Sequence, residues 1–185
     1  MPSACRSCRT LGPTDAPMLL RRLELKDAVD LQRLRGSVDL DGTLGRPAER
    51  QRALTLENIE SQLRAPFVTL GAYVHEFLAG SASLSRMPEC PFDAEATDWF
   101  GLSSIIVSPD FRGKGIGRTL VNECLSIIEQ QGAKGVLLLV NLPNPAAKAL
   151  YDSLGFETWN IDEGAYMHNG LRFDEVSMRK RLGGA

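Results

Sequence analysis

Ser103-Ser-Ile-Ile-Val-Ser-Pro-Asp-Phe-Arg-Gly-Lys-Gly-Ile-Gly-Arg-Thr-Leu120 joins a short apolar run of β character to a glycine-rich basic turn, and the turn to an amphipathic helix. Glycines at 113, 115 and 117 let the chain bend tightly and bare its N–H groups where a helix dipole begins, so the segment predicts an anion cradle. Spacing separates the glycine-loop types. A Walker A loop requires glycine where Ser108 stands and a hydroxyl residue where Gly115 stands; a dinucleotide fingerprint requires glycine where Arg118 stands. Both fail.

The spacing that fits is Arg112-x-x-Gly115-x-Gly117, and a second pattern follows it about 30 residues on. Val136–Val140 is a continuous aliphatic run, as in a strand buried on both faces. It leads to Asn144-Pro145, an Asn N-cap followed by Pro at the first helical position. Ala147, Leu150, Tyr151 and Leu154 then share one helix face, and Gly155 is placed to end the helix. Arg112-x-x-Gly115-x-Gly117 resembles the acyl-CoA pyrophosphate loop of the GNAT superfamily of N-acyltransferases. Asn144-x-x-Ala147-x-x-Leu150-Tyr151-x-x-x-Gly155-Phe156 resembles the second half of that family's core. The likeness is specific over residues 100–156 and loose before them. It implies an α/β fold, a central mixed and mostly antiparallel sheet flanked by helices.

Composition agrees with one such domain. The 185 residues suffice for one filled core, predicted over 18–182 behind a flexible lead at 1–17 that carries Pro2, Gly12, Pro13 and Pro17. A net charge of −2 gives no basic field for nucleic acid. No apolar stretch reaches the roughly 18 residues of a membrane span, and the N-terminus lacks a secretory apolar segment, so the expected location is cytoplasmic. Cys5 and Cys8 form a lone C-x-x-C with no second pair at zinc spacing, and His75 and His168 join no Cys/His cluster; no metal is expected. Cys90 falls in a Pro-rich connection and Cys124 on an apolar helix face.

Along the chain, Met18–Leu23 reads as a strand. A helix starts at Asp27 with Ala28, Leu31, Leu34 and Arg35, and a second helix covers about 53–64. The polar stretch 36–52 is expected to border the acceptor site. Phe67–Val74 and Leu78–Ser85 form a hairpin turning at His75-Glu76; Trp99–Val107 leads into the cradle; and the helix leaving it ends at Gly132. After Phe156 the pattern predicts a strand to about 161, a loop, and a last strand at about 172–180. The type I′ signal Asn169-Gly170 would fold that strand back on 165–168.

The resemblance implies acetyl transfer from acetyl-CoA to a primary amine of a small molecule or peptide by direct attack in a ternary complex, with a homodimer compatible. The alternative is a module that binds acyl-CoA and no longer catalyses. By resemblance, Ile105, Ile106 and Val107 pair with the pantetheine arm and supply an oxyanion N–H. Arg112, Gly113, Lys114, Gly115, Ile116, Gly117 and Arg118 hold the pyrophosphate, with solvated surface the alternative for Lys114 and Arg118. Asn144 caps its helix, bonds the pantetheine, or both. Tyr151 either protonates the departing thiolate or only completes the apolar face. The family's β-strand glutamate base falls near Ser103 here, which cannot serve; Asp98, Glu95 and Glu76 are the carboxylates at hand.

Overall fold

In the computed structural model, which describes residues 17–39, 55–64, 68–87, 98–168 and 171–183, the elements follow the predicted order. They are β1 (Met18–Arg22), α1 (Ala28–Asp39), α2 (Leu56–Arg64), β2 (Val68–Val74), β3 (Phe77–Met87), β4 (Trp99–Val107), α3 (Ile116–Gln130), β5 (Gly135–Asn141), α4 (Pro145–Ser153), β6 (Glu157–His168) and β7 (Leu171–Arg181). One seven-stranded sheet runs β1-β2-β3-β4-β5-β7-β6. Among the described residues only β4 and β5 pair in parallel. Period-two alternation divides each central strand between two cores. Leu84, Leu102, Val136 and Leu138 meet Leu120, Cys124 and Ile128 of α3, while Tyr73 and Ile106 meet Leu31, Leu34 and Val38 of α1 and Ile59 of α2. Cys124 is wholly buried, and burial pushes its thiol up to about 12.

The C-terminal hairpin differs from the sequence reading. The loop expected after residue 161 is instead the middle of a continuous strand, β6, whose register on β7 shifts between Asp162 and Tyr166. The Gly164 N–H donates to Asp174 Oδ1 at 2.8 Å, so a side chain takes over where the ladder is broken and the polar run stays in the sheet. Tyr166, Met167 and His168 pair with Phe173, Arg172 and Leu171, as the turn signal required. The turn itself, the lead at 1–16 with Cys5 and Cys8, the stretch 40–54, Cys90 and Glu95 all lie outside the described residues.

Asp27, 4% exposed, joins the first strand to the first helix. Its carboxylate accepts from Arg21 at 2.6 and 2.7 Å, from the Tyr73 hydroxyl at 3.2 Å and from the Glu24 N–H at 2.8 Å. The Arg21 guanidinium above all holds the Asp27 carboxyl down at about 2. A carboxyl depressed in the folded state stabilises above its unfolded pKa, and that contribution fades as pH falls toward the folded value. Urea midpoints should therefore drop between about pH 4 and pH 2, by a loss of about 2 kcal/mol. Asp27→Asn should flatten that part of the profile; an unchanged profile would show that the network contributes nothing.

Candidate active site

The site begins with a fault in β4. Its parallel ladder with β5 covers Trp99↔Gly135, Phe100↔Val136 and Gly101↔Leu137 and then stops. On the other side Ser83 pairs with Ser103 but Ser81 with Ile106, so β4 carries an extra residue there, and Ser104 stands at φ 51°. A bulge of this kind bends its strand, and β4 swings away from β5. The gap is a slot of about 120 Å³ between Leu102–Ile106 of β4 and Leu139–Asn141 of β5, with Asn144, Ala147 and Tyr151 of α4 at its side. It opens into a groove of about 570 Å³ that continues past Val107 to the turn before α3.

That turn has the cradle geometry. Gly113 and Gly115 adopt φ 75° and 81°, values that glycine takes without steric cost. Among the described residues no backbone carbonyl accepts from the N–H groups of Gly115 to Arg118, and the positive end of the 15-residue α3 adds its field there. A Cβ at Gly115 would meet nothing within 4 Å, so the backbone conformation, not crowding, is what calls for glycine.

Of the residues singled out in the sequence, Ile105, Ile106, Val107, Arg112, Gly113, Gly115, Ile116, Gly117, Arg118, Asn144 and Tyr151 all line the groove. Lys114 does not: its ammonium donates to the Asp110 carbonyl at 3.2 Å and lies 5.1 Å from the Phe111 ring centroid. Arg112 Nε donates to the Val107 carbonyl at 3.2 Å, tying the turn to the end of β4. Arg118 donates to Ser153 Oγ at 2.7 Å and so ties α3 to α4. Asn144 Oδ1 accepts from the Ala147 N–H at 3.1 Å, which makes it the N-cap, and the residue also faces the groove. Pro145, Ala146, Ala147 and Leu150 of α4 also line it, and so do Val38, Phe111 and Pro143, which had not been foreseen there.

Tyr151 borders both groove and slot while only 5% exposed. Its ring meets Phe156 edge-on at 5.8 Å, and burial raises its phenol above the ordinary value. No hydrogen bond reaches its hydroxyl among the described residues. A buried phenol kept protonated beside an open slot can donate to whatever occupies it.

Comparison with known proteins decides the family. A family model described as the acetyltransferase (GNAT) family matches residues 36–156. The chain belongs to the GNAT acetyltransferase family. A mycothiol acetyltransferase of Thermobispora bispora is 28% identical over 180 residues, covering 88% of this chain and 61% of that protein. The [ribosomal protein bS18]-alanine N-acetyltransferase of Escherichia coli is 36% identical over 77 residues, 42% of this chain and 52% of that one. The chain thus spans less than two thirds of the length of the curated relatives it matches. Among solved structures, a ribosomal-protein-alanine N-acetyltransferase of Brucella melitensis superposes with a TM-score of 0.71 at 26% identity, covering 89% of this chain and 99% of that one.

Of the carboxylates considered as bases, the two among the described residues lie away from this GNAT site. Asp98 faces Arg86 at 3.8 Å at the opposite end of β4 from the bulge. Glu76 lines a separate cavity of about 230 Å³ on the far side of Phe111, together with Asp30 and Arg33. Ser103 does border the slot, where the family resemblance placed it. Among the described residues no helix is long and apolar enough to cross a membrane, and no metal-binding cluster occurs.

Proposed function

We propose that this chain transfers an acetyl group from acetyl-CoA to a primary amine of a small molecule or a peptide, by direct attack in a ternary complex. One observation carries this reading: the N–H groups of Gly115 to Arg118, unpaired among the described residues, stand at the wide end of a groove whose narrow end is the slot that Tyr151 borders. The cradle suits a pyrophosphate, and the free edge of Ile105–Val107 suits an amide-bearing arm. A main-chain N–H of β4 is the oxyanion donor for the thioester carbonyl. As the amine nitrogen bonds to the carbonyl carbon and the C–S bond breaks, Tyr151 gives its proton to the thiolate. The relatives named for mycothiol and for a ribosomal-protein alanine keep small-molecule and peptide acceptors both in view.

Thiol release from acetyl-CoA across a panel of small amines and peptides tests the reading. An inert module would bind acetyl-CoA and release none, and none of the relatives compared is described as such. Arg112→Ala should weaken acetyl-CoA binding about 10- to 100-fold, the range for a hydrogen bond to a charged group, with a smaller loss of stability from the lost bond to Val107. Equal affinity in calorimetry would place the pyrophosphate elsewhere.

A further inference from the structure

The slot passes through the sheet. Val140 faces α3, whereas Leu139 and Asn141, one residue to either side, point to the opposite face with Ser103. On that face Asn141 pairs directly with Glu175 of β7, and Glu175 pairs directly with Asp162 of β6. Partners across an antiparallel ladder share a face with Cβ atoms about 4.5–5.5 Å apart, so a row of Asn141, Glu175 and Asp162 starts at the lip of the slot. Opposed like charges destabilise a ladder, yet neither carboxylate has a cationic or hydrogen-bonding side-chain partner among the described residues. The nearby cations are otherwise arranged: Arg179, on the same face of β7, stacks 3.6 Å from the Trp159 ring centroid, and Arg172 lies beside Gly164. Across the slot stands Tyr151, 5% exposed, its hydroxyl without a partner among the described residues.

We infer that this face is the acceptor's entrance and that Glu175 is the catalytic base, taking a proton from the acceptor's ammonium at the lip of the slot while Asp162 helps to hold the cation. This rests on the acyl-transfer reading above. An alkylamine with a pKa of about 10.4 is almost wholly ammonium at pH 7, so removing that proton offsets roughly 4.6 kcal/mol. The nitrogen gives up two protons in all. The first goes to the Glu175 carboxylate and on to solvent, leaving the lone pair free to attack the thioester carbon. The second replaces the proton that Tyr151 gives to the departing thiolate. Among the described residues no carboxylate lines the slot itself and Ser103 cannot act as a base; Glu175 stands one ladder partner from Asn141, which does line it, whereas Asp98 and Glu76 lie at other places on the molecule.

The test compares wild type with Glu175→Gln on ethylamine and on its isostere methoxyamine; at pH 7 the first is an ammonium and the second a free amine. Turnover with ethylamine should fall by about 10²-fold and turnover with methoxyamine by less than threefold. Melting temperature and acetyl-CoA affinity should stay at wild-type values, and Asp162→Asn should raise KM for ethylamine more than it lowers kcat. Equal losses with both amines would make Glu175 a packing or binding residue, and no loss would exclude it; either overturns the inference and leaves the acyl-transfer reading standing. Should Glu175→Gln fold poorly, Glu175→Ala and Glu175→Asp answer the same comparison. If wild type acetylates neither these probes nor any amine of the panel, the acyl-transfer reading falls and this inference with it.

Discussion

Tyr151→Phe is expected to lower acetyl transfer by about 10² to 10⁴, with acetyl-CoA affinity and melting temperature nearly unchanged. The substitution removes one hydroxyl and keeps the ring that meets Phe156 edge-on, so the packing of α4 on the sheet is conserved. Because that hydroxyl has no hydrogen-bond partner among the described residues, its loss strands no donor or acceptor in the protein. The same burial that raises the phenol keeps it protonated at every working pH, so Tyr151 should contribute no alkaline limb to the rate profile. Burial also makes a thiolate in the slot a stronger base than in water, which preserves the driving force for the transfer. Single-turnover rates with chemistry limiting decide the matter. A fall of less than about threefold would remove Tyr151 from the mechanism and leave the thiolate to be protonated by water.

Gly80→Val should damage both the scaffold and the cradle built on it. A Cβ on Gly80 would stand 2.9 Å from the Ile106 carbonyl oxygen, 3.0 Å from Ile116 Cγ2 and 3.1 Å from Leu120 Cδ1. The first of these is backbone of β4, which cannot rotate away; the others belong to the first two turns of α3. Glycine at 80 is thus what lets the head of that helix, and the cradle attached to it, approach the bulged strand. Overpacking a filled core costs typically 1–3 kcal/mol, and a branched side chain against backbone lies at the upper end, so a loss of about 3 kcal/mol is expected. Acetyl-CoA affinity should fall as well, since α3 must move off the sheet to relieve the contact. Denaturant titration and calorimetry on one preparation test both parts. A variant with wild-type midpoint and affinity would mean that helix and strand have room that their spacing denies.

Much of the site could be read from the chain because its signals are local. The cradle is a short consecutive run leading into the first turn of a helix, and the Asn144 cap acts within three residues, through Oδ1 and the Ala147 N–H. Turn chemistry and helix periodicity of that range are written in neighbouring residues. What escaped depends on distant pairing. Val38 reaches the groove only because α1 packs over β4, and the bulge at Ser104 shows only in a register against β3. The Arg21–Asp27–Tyr73 network joins residues 46 apart or more to Tyr73 and leaves no short pattern. The place of Glu175, one ladder partner from the slot, rests on the register of β5 with β7, and an acidic position within a strand gives no hint of it. Lys114 is the reverse case: a cation in the right place along the chain whose stem folds back over Phe111.

The parted strands β4 and β5 have a further consequence for selectivity. A free strand edge at the rim of a sheet is open to pairing with any other chain, which is why proteins cover or charge such edges. Here the two free edges face each other inside the molecule, held together at one end by the Trp99–Gly101 pairs and spread apart at the other by the Ser104 bulge. They are too far apart to zip closed and too enclosed for a foreign sheet to dock. In the proposed reading the opening acts as a gauge: a slender extended arm with amide groups lies between the edges and completes the ladder, and a bulkier molecule is kept out. A fault in one strand thereby becomes a sieve, turning main-chain hydrogen-bonding capacity that would invite aggregation into a measure of a ligand's width.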